Sequence, residues 1–208
     1  MKFIFKQEAL LRSALQARGL DDQKLAIEVD HYEGKSYVNG TEFGLIYPDS
    51  FFTFGHKLHL MPKSYQFYFN GNMDIDGGRE KMLTPFTLRQ DSRVVKSNIG
   101  RINLLKGRIN PLYFAALARS VYGLCPHQLN WTGTKLWTYR FVDCLLVGTI
   151  PIIFRESPLD DEFMLGFEYE WNDDGLKGIL PKTKNNTRRH RNFAKAQEKF
   201  RLPQNFQP

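Results

Sequence analysis

The sequence predicts an α/β protein whose centre is a Rossmann-like parallel sheet with flanking helices. Two observations predict it. Strand-like runs at 66–71 (QFYFNG), 92–98 (SRVVKSN), 123–126 (GLCP) and 150–154 (IPIIF) alternate with stretches of helical spacing, and that alternation implies βαβ units with parallel strands. The chain has 208 residues, 42% of them hydrophobic and 14% aromatic, enough to bury a core without covalent staples.

From the start of the chain, Leu10, Leu11, Ala14, Leu15 and Ala17 recur at near-helical spacing, and Gly19 is placed to end a helix over 5–18. From Lys24 to Pro48, KLAIEVD, SYV and GLIYP are punctuated by glycines and predict short strands joined by turns. The strand at 66–71 runs into Gly71, and REKMLTPF at 79–86 is helix-like until Pro85. Asn110 can cap a helix opened by Pro111, because proline is tolerated at the first helical position. That helix, PLYFAALARSVY, leads into the strand at 123–126, a polar loop with two tryptophans follows, and a helix from about Thr138 to Leu146 stops near Gly148.

The net charge is +7, but its distribution matters more than its size. From Leu180 onward there are eight Lys and Arg against one acidic residue, Glu198, which leaves 21 basic and 21 acidic residues before it. The excess therefore belongs to the tail, not to a basic body of the kind that binds nucleic acid. Cys125 and Cys144 sit in apolar runs without metal-ligand or CxxC spacing, so buried free thiols and a reducing, cytoplasmic setting are expected. The opening MKFIFKQEALL is broken by Lys6 and Glu8 and lacks the apolar length of a signal or a membrane span.

The segment 123–154 carries the chemistry. In an open α/β sheet ligands bind outside the carboxyl ends of the strands, where a helix N-terminus offers free N–H groups and a positive dipole end. A diphosphate suits that place. Thr134 and Thr138 supply hydroxyls, Arg140 in the first turn supplies a planar fork of donors, and Asp143, one turn on, supplies a carboxylate for ribose or sugar hydroxyls. His127 lies in the loop facing this place and suits a phosphate or a base, or is an ordinary loop histidine.

Thr138, Arg140, Asp143, Gly148 and Pro151, together with Leu124, Cys125 and Pro126 upstream, resemble the exostosin-like glycosyltransferases. That family's donor half has Ser or Thr, then Arg, an acidic residue three further on, Gly, and a strand with Pro. Phe69, Gly71 and Arg79 are similar to its Phe-x-Gly strand and following arginine. The resemblance spans roughly residues 66–160. It implies a GT-B-like donor domain, a UDP- or GDP-sugar donor, a saccharide acceptor in glycan or polysaccharide biosynthesis, and no obligatory cofactor. It assigns Arg79 and Arg140 to the diphosphate and Asp143 to the donor's ribose or sugar. Only about 65 residues precede the Phe-x-Gly strand, so the expected organisation is a reduced N-terminal portion at 1–65 on the acceptor side, a nucleotide-sugar domain at 66–180 and a basic tail at 181–208.

Asp74-Ile75-Asp76 follows a strand and matches the pattern by which GT-A enzymes hold a divalent ion, which makes a metal-dependent transferase the alternative. The same residues suit an ordinary turn, and Asp74 and Asp76 are also the first candidates for the base that activates the acceptor. His31, His56 and His59 have no acidic or cysteine partners in ligand spacing and are assigned structural or surface roles. Trp131, Trp137 and Tyr139 suit stacking on a base or sugar, or anchoring of their loop. Phe193 and Phe200 recur one turn apart in the tail, which predicts a basic amphipathic helix. Its readings are a solvated terminal helix, a peripheral contact of residues 182–201 with an anionic membrane, or a nucleic-acid-binding module without turnover.

Overall fold

The computed structural model describes residues 6–31, 33–73, 78–97, 108–127, 138–154, 166–172 and 186–207. Helix α1 (Lys6–Ala17) precedes strands β1 (Ile27–Asp30), β2 (Lys35–Val38) and β3 (Thr41–Phe43), which pair antiparallel in chain order as a three-stranded meander. Helix α2 (Asp49–Leu58) then leads into β4 (Tyr65–Gly71). The remaining elements are α3 (Gly78–Thr87), β5 (Ser92–Lys96), α4 (Pro111–Ala118), β6 (Ser120–Cys125), α5 (Tyr139–Leu146), β7 (Ile150–Phe154), β8 (Glu170–Asn172) and α6 (Asn186–Lys199).

Strands β4 to β8 form one sheet in the order β5-β4-β6-β7-β8, and every neighbouring pair is parallel. Side chains alternate between its two faces, as the period of two requires. Phe67, Phe69, Tyr122, Leu124, Ile150 and Ile152 pack with Leu83 and Phe86 of α3. Tyr68, Cys125 and Ile153 pack on the other side with Phe114 and Leu117 of α4 and Phe141 and Leu145 of α5. The sheet is thus wrapped on both faces, which is why its inner strand β7, IPIIF, is buried throughout, while the edge strand β5, SRVVK, keeps polar residues.

Asn110 caps α4 as its sequence predicts, its side chain accepting from Tyr113 N–H. The helix stops at Ala118 instead of running through Tyr122. Ser120 and Tyr122 pair with Tyr65 and Phe67, and ladder hydrogen bonds to β4 outweigh the helical pattern there. Helix α3 passes Pro85 and ends at Thr87, because a proline in the last turns removes one N–H without interrupting the first. Gly148 closes α5 with φ of 64°, and a Cβ there would lie 3.0 Å from the His59 carbonyl oxygen. The sequence gives little sign of α2, whose DSFFTFGHKL is rich in aromatics with a glycine inside. Burial of Phe51 against Phe114 and Tyr47, and of Phe52 under the Arg201 guanidinium, holds it.

The three expected portions of the chain share buried clusters. Leu10, Leu45 and Tyr47 join Phe141, Ala196 and Phe200 in one, and Leu11, Leu15 and Val38 join Leu202 in another. Helix α6 docks through Phe193 and Ala196, with Phe193 stacked on His59 at 4.8 Å between ring centroids, and Phe200 just beyond it is buried too. Six basic groups of the described part of the tail meet partners within the chain. Arg188 pairs with Glu168 and Glu170, Arg191 with Glu168 at 2.9 Å, and Arg201 with Asp49 at 2.9 Å, while Arg189 donates to the His59 carbonyl. Lys195 and Lys199 lie over the Phe167 ring. The two phenylalanines that would anchor a membrane contact face the core, so such a contact would rest on charge alone. Among the described residues no helix is long and apolar enough to cross a membrane.

Candidate functional site

The chain leaves β4 toward β5 on one side and returns across β4 to β6 on the other. The direction of winding therefore reverses between β4 and β6, and the crevice at their carboxyl ends is the switch point of the sheet. The residues that end these strands are Asn70 and Gly71 on β4 and Cys125 on β6, followed by Pro126 and His127. Helices α3 and α5 each begin at this edge, because each follows a parallel strand and runs back along the sheet.

Two arginines, one from α3 and one from α5, donate to the backbone at the end of β4. Arg140, in the first turn of α5, crosses the Phe69 ring with its guanidinium carbon 4.2 Å from the centroid, and its Nη2 donates to the Asn70 carbonyl at 2.9 Å. Arg79, in the first turn of α3, donates through Nη1 to the Asn72 carbonyl at 3.3 Å. Both are buried, at 3% and 4% exposure. Gly71 makes room for the first of them, since a Cβ at that position would lie 2.5 Å from Arg140 Nη2.

Arg140 is under-satisfied. Its Nε and Nη1 are buried and have no hydrogen-bond partner, and the Asn70 side-chain oxygen is likewise unpaired. A buried guanidinium with two donor nitrogens unmade is costly unless an acceptor completes it. An anion with several oxygens is the acceptor that fits such a fork. Thr138 caps α5, its hydroxyl accepting from Arg140 N–H at 3.1 Å, so its lone pair orients the first turn that carries the arginine.

Asp143 takes a different place from the one expected for a ribose contact. It is 2% exposed, and its two oxygens accept from Tyr47 Oη at 3.2 Å and Tyr113 Oη at 3.1 Å. The i, i+3 spacing puts Arg140 and Asp143 on one face of α5, but the long arginine reaches β4 while the short carboxylate stays between α4 and Tyr47. Burial pushes its carboxyl up to about 6, opposed by the Arg140 charge and by the two phenol donors. The same burial, together with the carboxylate, pushes both phenols well above their ordinary range.

Other expected residues divide by position. His127 is half-buried at the end of β6, on the same edge as Arg140. Thr134, Asp74 and Asp76 lie outside the described residues, as do Trp131 and Trp137. His56 and His59 lie at the end of α2 beside α6, where His59 packs on Phe193. His31 is different. Its Nδ1 is 3.2 Å from Tyr139 Oη, and the two rings stack at 5.8 Å. Lys6 Nζ sits 5.3 Å over the same tyrosine ring. Tyr139 is the first residue of α5, next to Arg140, so α1 and the end of β1 bring a lysine and a histidine to the N-terminus of the helix that carries the buried arginine. No local pattern links His31 to residue 139, and the pairing was not legible before the fold.

Among the described residues no group of three or more His, Cys, Asp or Glu side chains is arranged to hold a metal ion. No protein-family model matches the chain, and no curated protein matches it either.

Proposed function

We propose that this chain is a glycosyltransferase that moves a sugar from a nucleotide diphosphate sugar to a saccharide acceptor, with the donor diphosphate seated at the switch point between β4 and β6. The observation that carries the reading is Arg140, a guanidinium at 3% exposure whose Nε and Nη1 lack partners at the carboxyl edge of a parallel sheet. Diphosphate oxygens would complete it, and Arg79 and the N-terminus of α5 would add positive potential.

In direct displacement at the anomeric carbon, negative charge grows on the departing diphosphate. Preorganised donors are worth most where charge develops in the transition state, and Arg140 is held by Phe69, Thr138 and the Asn70 carbonyl before any substrate arrives. A GT-B-like donor site, a polysaccharide or glycan product and action in the cytoplasm belong to the same proposal. The thiols of Cys125 and Cys144, 4.0 Å apart and unbridged, favour a reducing compartment. The compensated charges of α6 make the nucleic-acid reading of the tail the weaker one.

The test is a calorimetric titration of the protein with UDP and GDP, with and without EDTA, beside Arg140→Ala. Metal-independent binding that the variant loses is the expected result and identifies the base. Binding only with a divalent ion moves the site to Asp74 and Asp76, the GT-A alternative. Absence of binding to either nucleotide overturns the reading.

A further inference from the structure

Helix α6 meets the end of α2 through a cluster of histidines. His59, the residue that ends α2, is 6% exposed, and its ring lies parallel to that of Phe193 on α6. The His56 ring is 5.2 Å from it, and the His190 ring of α6 meets it edge-on at 5.2 Å. Arg189 donates to the His59 carbonyl at 2.9 Å, while its Nε is buried without a hydrogen-bond partner. Lys63, a few residues after α2, is half-buried and feels the Arg189 charge. Among the described residues no ion pair reaches any of these five basic groups. Elsewhere on α6 carboxylates hold Arg188 and Arg191. We infer that the junction of α2 and α6 is an acid-sensitive latch, in which protonation of His59 releases α6. The latch is independent of the proposed reaction.

Histidine is the side chain that changes charge between about pH 5 and 8. Burial acts first on His59 and lowers its pKa from 6.5; the His56 carbonyl opposes, and His190, His56 and Arg189 add to the lowering. A carbonyl oxygen can only accept, so His59 Nδ1, 2.7 Å from the His56 carbonyl, keeps its hydrogen in both charge states and the second proton goes to Nε2. The Phe193 face attracts an imidazolium and works against release. Desolvation and the surrounding like charges work for it.

When α6 lifts, His59 meets water and its pKa returns toward 6.5. Below that value the released form binds the proton more tightly than the docked form, so the latch is whole above about pH 6.5 and weakens as pH falls beneath it. Burial and then Arg189 lower the Lys63 pKa to about 7, so in the acid range this ammonium carries its charge and adds a constant repulsion. The turn after α5 packs on His59 through Gly148, which brings no charge. Release also reaches the candidate site. Tyr47 N–H donates to the carbonyl of Phe200, just beyond α6, and Tyr47 Oη donates to Asp143 on the helix that carries Arg140.

Hydrogen–deuterium exchange reports local opening of one element against the rest of the fold, and is measured by mass spectrometry at about pH 7.5 and about pH 5.5 with rates corrected for intrinsic exchange. Protection of residues 186–199 is expected to fall at least about tenfold in acid, the equivalent of one pKa unit, while protection of β4 changes less than about twofold. His59→Phe keeps an aromatic ring on Phe193 and removes the titrating group. Its α6 is expected to hold its protection within about twofold between the two pH values. His190→Gln removes a facing charge at an exposed position and is expected to reduce the wild-type fall to about threefold or less. Protection of α6 that does not change in acid, that falls in step with β4, or that falls equally in wild type and His59→Phe overturns the latch. If His59→Phe lacks protection in β4 at the higher pH, the variant is unfolded and His190→Gln decides: a fall as large as the wild type's overturns the latch.

Discussion

Gly71 and Arg140 share one space: the side chain that residue 71 lacks would occupy the position of Arg140 Nη2, 2.5 Å from a Cβ built there. The sequence shows only a glycine at the end of a strand. The structure gives it a reason, because close approach of a guanidinium to the backbone requires an absent side chain.

Gly71→Ala is therefore expected to push the guanidinium off the Asn70 carbonyl and out of the switch point. Overpacking of this kind costs roughly 1–3 kcal/mol of stability. The larger effect is on binding. Affinity for UDP or GDP in calorimetry should fall at least about tenfold, the equivalent of about 1.4 kcal/mol.

Arg140→Met separates binding from stability. Methionine keeps the packing against Phe69 and removes a buried charge with unmade hydrogen bonds. The variant should unfold at an equal or higher temperature than the wild type in the absence of nucleotide, and should show no thermal shift when UDP or GDP is added. A melting temperature several degrees lower would mean that the guanidinium is satisfied as it stands.

Asp143 makes stability depend on pH in a direction opposite to that of most carboxylates. Its folded pKa, about 6, lies above the ordinary 3.8, so between these values the native state holds a proton more tightly than the unfolded chain. Its contribution is fully present below about pH 4 and is lost as pH rises through about 6. Relative to Asp143→Asn, the wild type should lose up to about 3 kcal/mol of unfolding free energy over that window, read from urea midpoints at pH 4 and pH 6.5.

Lys63 titrates with the other sign. Its Nζ donates to the Ala118 carbonyl at 2.6 Å and the Gly148 carbonyl at 3.0 Å, tying the end of α4 to the turn after α5. Burial first, then Arg189, lowers its pKa from 10.5 to about 7. Between those values the unfolded chain binds more protons, so this contribution is present above about pH 10.5 and is lost as pH falls through about 7. The stability gap between wild type and Lys63→Met should therefore widen from pH 7 to pH 9.5, and urea midpoints at the two values check it.

The parallel sheet was legible in the sequence because period and punctuation agree there. IPIIF between Gly148 and a polar stretch has one reading, and Asn110-Pro111 marks its helix start without ambiguity. Helix α2 was not legible, since Phe51, Phe52 and Phe54 around Gly55 fit a strand as well as a helix, and only packing against α4 and α5 decides. Within the candidate site, Arg140 was legible from its place in the first turn of a helix, and Arg79 and Gly71 from the family resemblance alone. That Arg140 and Arg79 donate to the Asn70 and Asn72 carbonyls was not legible, because it depends on how α5 and α3 pack on the sheet. The inward turn of Asp143 was hidden for a similar reason. Its partners Tyr47 and Tyr113 lie 96 and 30 residues away in sequence, and nothing local marks a tyrosine as a carboxylate's donor. In the tail, composition shows only an excess of basic residues; that Arg188, Arg191 and Arg201 pair with Glu168, Glu170 and Asp49 depends on the fold.

Phe193, Ala196, Phe200 and Leu202 come after every other core residue in chain order, and Tyr47 N–H donates to the Phe200 carbonyl at 2.8 Å. On the ribosome, Tyr47 emerges roughly 150 residues before that partner exists, a wait of the order of ten seconds at about 5–20 residues per second. Through that interval the nascent chain carries Leu10, Leu45, Phe51 and Phe52 without the surface that will cover them. Completion of the fold in this way waits on the synthesis of residues 193–202, the stretch that covers this core.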